Sequence, residues 1–305
     1  MNLFGKEIDK KSVRVGIAAT VAVWLTAAWS VPLVNEYRQF NPETLLIVRG
    51  VAVMVAVLIF VFSGKGIWIS DKSSVYAGIC LAIASVTFFR GVNVWGANPT
   101  ITVLTLTPVV NFVCTVVREK KFPWIAFASL VAVLGGVACA LQPWKDPLHP
   151  QGLEWALCAT LTAGMGFEFW GKTRATLSAK FFWYSFFAII FAYVTLKLIG
   201  GKFELLPPGM KVRTAVYVFV VIGGLGGITY IGASSVVLEK LPTVLASVLL
   251  QGETPAVIIG SAILVGIRPS GLQWFGIFCA LVGIGYLIYK TDQLSKKEEK
   301  AKLLG

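Results

Sequence analysis

PTITVLTLTPVVNFVCTVVREKKFPWIAFASLVAVLGGV, residues 99–137, returns as PTVLASVLLQGETPAVIIGSAILVGIRPSGLQWFGIFCALVGI, residues 242–284. Pro108 maps onto Pro255, Gly136 onto Gly283 and Phe127 onto Trp274, each 147 positions later. Upstream, GIAATVAVWLTAA from Gly16 resembles GLEWALCATLTAG from Gly152. There Leu25-Thr26-Ala27 meets Leu161-Thr162-Ala163 at a displacement of 136, so insertions accumulated between the copies while the pattern survived. The chain is built from one apolar unit written twice.

A soluble domain carries about a quarter charged residues. This chain of 305 residues has 14% charged, 56% hydrophobic and a mean hydropathy of +0.77, which places it in a bilayer. Its net charge of +12 comes from basic residues scattered among short segments between apolar runs. That distribution speaks against nucleic acid and for lipid phosphates as the partner of the charge. Cys80, Cys114, Cys139, Cys158 and Cys279 all lie inside apolar runs, which leaves no disulfide framework and no CxxC zinc spacing. His149, the sole histidine, sits in a Pro-rich connection and offers little for acid–base or metal chemistry. Lys6, Lys10, Lys11 and Arg14 precede an apolar run in the manner of a secretory signal. Yet that run matches the segment from Gly152 and is needed to complete the first copy.

Crossing the hydrocarbon core takes about 20 apolar residues. Ten such stretches are predicted, near 14–34, 43–62, 74–95, 99–117, 122–141, 151–171, 179–199, 212–235, 242–266 and 270–290. In the eighth, Gly223 and Gly227 form a small-xxx-small step suited to close helix packing. With the N-terminus inside, the inner segments hold 18 Lys/Arg and the outer ones seven, which favours both termini in the cytoplasm. The expected fold is an all-α polytopic membrane protein. It comprises a segment 1–13, a five-helix repeat 14–141, a connection 142–150, a second five-helix repeat 151–290 and a charged tail 291–305. Five is odd, so the second repeat enters the membrane from the opposite side. The two are expected to be inverted, with a site near the midplane between them.

These features resemble the EamA-type members of the drug/metabolite transporter superfamily. The resemblance rests on the ten runs in two sets of five, on NPETLLIVRG with Arg49 at the start of the second run, and on the twin blocks around Pro108 and Pro255. Glu253-Thr254-Pro255 is similar to the Glu-x-Pro element of that family's second repeat, and the likeness spans about residues 14–290. Arg90 departs from the pattern, since family members usually place an apolar residue or tyrosine there.

Charges inside a bilayer are costly, about 2.5–3.5 kcal/mol each at a helix centre, so each asks for a reason. Arg49 and Arg90 could share a depth near the outer face, either gripping a carboxylate or phosphate or tying helix ends together. Glu253, near the middle of the ninth run and followed by Pro255, could pair with arginine, bind a cationic amine or take up a proton. Gln251 adds a donor and an acceptor two residues earlier. Asn93, Trp95 and Tyr230 lie near these groups in the runs and complete the candidate substrate-binding set, with Trp24, Phe88 and Phe89 as further aromatic neighbours. Glu168, among Phe167, Phe169 and Trp170, is a candidate gate or coupling group alongside Glu253, with an ion pair to Lys172 as the alternative.

No nucleotide loop, HExxH or nucleophile elbow is present, so no enzyme is expected. The resemblance implies a secondary transporter of a small polar metabolite, such as an amino acid or related organic ion, working by alternating access in a cytoplasmic membrane, as in bacteria. A choline-like cation or a lipid precursor stays open as cargo. No cofactor or metal is expected. Partners are the substrate, the bilayer and a coupling proton or sodium ion, in a monomer or homodimer.

Overall fold

The computed structural model describes residues 10–36, 41–64, 66–120, 122–145, 147–205, 211–216, 220, 224–264, 266 and 268–304. It is 85% helix, with no strand among these residues. In chain order the helices are α1 (Lys10–Glu36), α2 (Pro42–Phe62), α3 (Lys72–Trp95), α4 (Ala97–Leu104), α5 (Thr107–Glu119), α6 (Trp124–Leu141) and α7 (Pro150–Lys172). They continue as α8 (Leu177–Leu198), α9 (Val212–Val216), α10 (Gly227–Lys240), α11 (Thr243–Leu250), α12 (Glu253–Leu264) and α13 (Gly271–Leu304). Among the described residues eight helical stretches are long and apolar enough to cross a membrane. The 23-residue α7 is long enough, but Glu154 and Glu168 lower its hydropathy and leave it outside that set. Large apolar side chains such as Phe62 (83% exposed) and Ile263 (76%) stand on the outside. Such a surface suits lipid rather than water, and the architecture is that of a polytopic helical membrane protein.

Helix starts follow from local chemistry. Asn41 accepts from the Glu43 N–H (3.1 Å) with Pro42 opening α2, and the His149 ring accepts from the Gly152 N–H (3.2 Å) with Pro150 opening α7. The fourth and ninth predicted runs are each divided rather than continuous. The kinks fall at Thr105-Leu106 and Gln251-Gly252, two eight-residue helices having preceded them. Proline is the cause, because Pro108 and Pro255 have no N–H to return to the carbonyl four residues back. The Leu104 carbonyl instead accepts from the Thr107 hydroxyl at 2.6 Å, and that of Gln251 from the Thr254 N–H at 3.2 Å. Thr105 (φ −64°, ψ −9°) and Gln251 (φ −64°, ψ −14°) stay close to helical, so each break is a bend rather than a reversal. Of the eighth run, α9 and α10 are described, with residues 220 and 224–226 between them in π-helical conformation, and Gly223 of its small-residue step lies outside the described residues. At the C-terminus α13 runs on through the charged stretch 291–304, which contains no proline or glycine to stop it.

Packing joins early helices to late ones. The principal pairs are α3 with α7, α6 with α13, α2 with α8, α3 with α8, and α1 with α10 and α12. At the α6/α13 crossing Gly136 lies against Gly276 and Ala280, while Gly283 lies against Ser129, Ala132 and Val133.

A polar staple joins the loop before α3 to the loop after α7. Asp71 caps α3 through the Ser74 N–H (2.7 Å) and also accepts from the Thr173 hydroxyl (2.5 Å) and the Arg174 N–H (2.8 Å). Partial burial opposes its charge, but the bonds from Thr173, Ser74 and Arg174 prevail and hold the carboxyl below its ordinary value of 3.8. A lowered carboxylate stabilises the fold above that ordinary value and loses the contribution as pH falls through the folded value. Asp71→Ala should therefore cost about 1 kcal/mol at neutral pH. In detergent melts the gap to the parent should close below about pH 4; a gap independent of pH would show that the charge plays no part.

Candidate functional site

Polar side chains from six helices meet beside the α11/α12 kink. Glu253 opens α12, and the Tyr230 hydroxyl on α10 lies 2.8 Å from both of its carboxylate oxygens and donates to them. Arg49 reaches over from α2 and rests on Gly227, one turn before Tyr230, where a Cβ would collide with its Nε. That Nε is buried without a hydrogen-bond partner. It is an unused cationic donor within electrostatic reach of the Tyr230 hydroxyl. From α1, the Trp24 indole N–H donates to the Leu249 carbonyl at 2.9 Å, and its ring covers Gly252, where a side chain would have no room. On the remaining side Tyr184 of α8 shares a 2.9 Å hydrogen bond with Ser85 of α3.

The kink explains why the helices converge here. Bending moves carbonyls off the i→i−4 ladder, and that of Leu249 accepts from the Gly252 N–H at 3.1 Å and takes the Trp24 indole as a second donor. A matching bond lies at the other kink, where the Thr160 hydroxyl on α7 donates to the Val103 carbonyl at 2.9 Å.

Of the residues singled out in the sequence, Arg49, Tyr230, Glu253 and the aromatic neighbour Trp24 come together here, with Gln251 at the kink itself. The others lie elsewhere. Arg90 forms a buried ion pair with Glu43 of α2, at 9% and 1% exposure, so its charge is matched inside the protein. Asn93 is exposed. Trp95 packs on Gly152 and donates its indole N–H to the Pro147 carbonyl at 2.8 Å, tying the end of α3 to the connection before α7. Glu168 is buried and held by Arg118 of α5 at 2.9 Å and by Lys172 at 3.6 Å. Tyr184 and Ser85 were not singled out. Tyr184 stands in FFWYSFF, residues 181–187, where its hydroxyl is, with the Trp183 indole N–H, one of two polar tips among aromatic rings and was the available signal.

Chemically the site offers an acceptor, Glu253, a fixed cation, Arg49, and the rings of Trp24, Tyr184 and Tyr230. Opposite charges so placed suit a ligand bearing both signs. Among the described residues no group of three or more His, Cys, Asp and Glu is placed to hold a metal ion.

No protein-family model matches the chain, and no curated protein does. Its fold is shared with solved structures. A crystal structure described only as that of a protein aligns over 91% of this chain and 98% of its own, with a TM-score of 0.71 and 15% identity. At that identity the likeness concerns the fold alone.

Proposed function

We propose that this protein is a secondary transporter of a small polar metabolite, an amino acid or related organic ion, in the drug/metabolite transporter manner. The observation that carries the reading is the Glu253–Tyr230 pair with Arg49 beside it, set where a bent helix meets helices from both parts of the chain. Charge kept inside a membrane protein without a structural partner marks a substrate or ion path.

Two five-helix inverted repeats, ten helices in all, are part of the proposal. Three features support them. Trp24 and Thr160 stand 136 positions apart and bond carbonyls, Leu249 and Val103, that stand 146 apart. The kinks themselves are 146 apart. Gly136 against Gly276 and Ala280 becomes, on shifting by 147 and exchanging helices, Gly283 against Ser129 and Val133. Exchange of partners is what a two-fold axis between the repeats requires. The two termini are placed in the cytoplasm by the basic residues of the connecting segments.

Uptake by sealed proteoliposomes from a library of amino acids and organic ions tests the reading, and no movement of any of them under any gradient would sink it. Gly227→Ala should displace the flexible Arg49 head while leaving the fold intact. Losing a bond to a charged group, about 1.5–3 kcal/mol, should raise the KM for the transported compound about tenfold or more. The melting temperature should stay near the parent's. Gly232→Ala, where the nearest neighbour is Phe181 at 3.5 Å, is the silent control.

A further inference from the structure

Two polar stripes lie on helices packed together between the kinks and the end of the bundle marked by Lys240. On α5, Thr107, Asn111 and Thr115 recur every fourth residue and all are buried. On α11, which packs on α5, Thr243 and Ser247 continue at the same spacing to Gln251 at the kink. A spacing of four keeps each set on one helix face. The hydroxyls of Thr107 and Ser247 turn back onto their own helices, to the Leu104 carbonyl at 2.6 Å and the Val244 carbonyl at 3.0 Å. Asn111, at 0% exposure, has neither amide atom in a hydrogen bond.

Burying a primary amide with no partner forfeits its water for nothing in return, and a permanent helix contact has no use for it. The corresponding position 147 residues later is Ile258, as plain packing would have it. Beyond Thr115 the seam ends at charges. Arg118 crosses from α5 to Glu168 on α7, Lys172 flanks that carboxylate, and Thr243 abuts Gly171 of the same helix. Of the polar groups of the seam, Asn111 is therefore idle, the hydroxyls of Thr107 and Ser247 are satisfied locally and ask nothing of the facing helix, and the Arg118–Glu168 pair is a contact that separation of α5 from α7 would release.

We propose that the α5/α11 seam is the closed route by which the polar substrate passes between Glu253 and the Lys240 end of the bundle, with the Arg118–Glu168 pair as its latch. The proposal rests on the transport reading of the Glu253 site and gives that site its path. Water or substrate entering the seam would satisfy Asn111, so the open form regains what the closed form forgoes. Arg118, with a 42% exposed side chain, can leave Glu168 into solvent without stranding a second buried charge.

The test uses the full chain with its five cysteines replaced, and Asn111→Cys, Ser247→Cys or, as reference, Val133→Cys in the α6/α13 crossing. A membrane-impermeant cationic thiosulfonate is applied to either side of oriented vesicles. With Arg118 and Glu168 intact, labelling at 111 and 247 should be slow. Glu168→Gln, or Arg118→Gln should the former fold poorly, is expected to speed it about tenfold from the Lys240 side alone, the change that a modest shift in the closed population gives. Val133→Cys should not respond, and the swap Arg118→Glu with Glu168→Arg should restore protection. Unchanged rates at 111 and 247, or an equal rise at 133, would overturn the proposal. Flux without altered labelling overturns the route and leaves transport standing. Altered labelling with no flux of any compound supports a seam latched by Arg118–Glu168 but removes the transport reading, and with it the passage of substrate.

Discussion

Glu253→Gln is expected to reduce uptake into proteoliposomes by about 30-fold or more, the largest loss among single changes at the site. The reasoning is electrostatic. Glutamine keeps the shape and one acceptor oxygen but removes the capacity for negative charge from the side chain that Tyr230 holds in place with two 2.8 Å contacts. In the transport reading a cationic group of the substrate pairs with this carboxylate; removing one partner of such a desolvated pair costs about 2–5 kcal/mol, and each 1.4 kcal/mol is about a factor of ten. Tyr230→Phe deletes a single donor and leaves the carboxylate, so its effect should stay near about 1.5–3 kcal/mol, the worth of a hydrogen bond to a charged group. Glu154→Gln, an exposed glutamate on α7, should leave uptake at the parent's level. If Glu253→Gln and Glu154→Gln transport alike, the carboxylate does not meet the substrate.

Gly136→Ala and Gly135→Ala, adjacent in α6, should move stability in opposite directions. A Cβ on Gly136 would lie 2.5 Å from the Ala280 nitrogen and 2.7 Å from the Gly276 carbonyl oxygen, backbone atoms that cannot turn aside. The α6/α13 crossing would have to open, and overpacking of this kind costs about 1–3 kcal/mol or more. At Gly135 nothing lies within 4 Å of the added carbon. There alanine reduces the freedom of the unfolded chain in mid-helix, a gain of about 0.5–1 kcal/mol. Melting of purified protein in detergent should place the two variants on either side of the parent. Equal loss in both would mean that the crossing is looser than its distances imply.

Much of the helical plan could be read from apolar run length, because lipid imposes nearly uniform segments. The kinks were less legible. Pro108 and Pro255 were conspicuous, but the helices divide two or three residues ahead of them, where freed carbonyls find Thr107 or a neighbouring N–H. Within the site, Tyr230, Glu253 and Arg49 drew notice as polar groups in apolar surroundings. Their meeting depends on Gly227 leaving room for the guanidinium, and no one-dimensional pattern carries that contact. Arg90 is instructive in the other direction. Its depth suggested a shared mouth with Arg49, while its partner Glu43 read only as the start of a helix. Only the register of α2 against α3 brings those two charges together. Trp95 likewise stood near polar residues in sequence, but its indole is occupied by the Pro147 carbonyl across a loop.

The order in which the chain is made gives the helix pairing another meaning. α1 finds α10 and α12 as its main neighbours, so it must wait in the bilayer until some two hundred further residues have been synthesised. Lipid makes such waiting tolerable, since an apolar helix has its backbone satisfied and its side chains solvated before any neighbour arrives. The charges are arranged to suit. Glu43 meets Arg90 within the first hundred residues, and Glu253 meets Tyr230 from the helix made shortly before it. Each costly carboxylate can thus be matched within its own stretch of nascent chain. Arg49 is left as the early charge whose surroundings are completed last, when α10 docks and Gly227 comes beneath it.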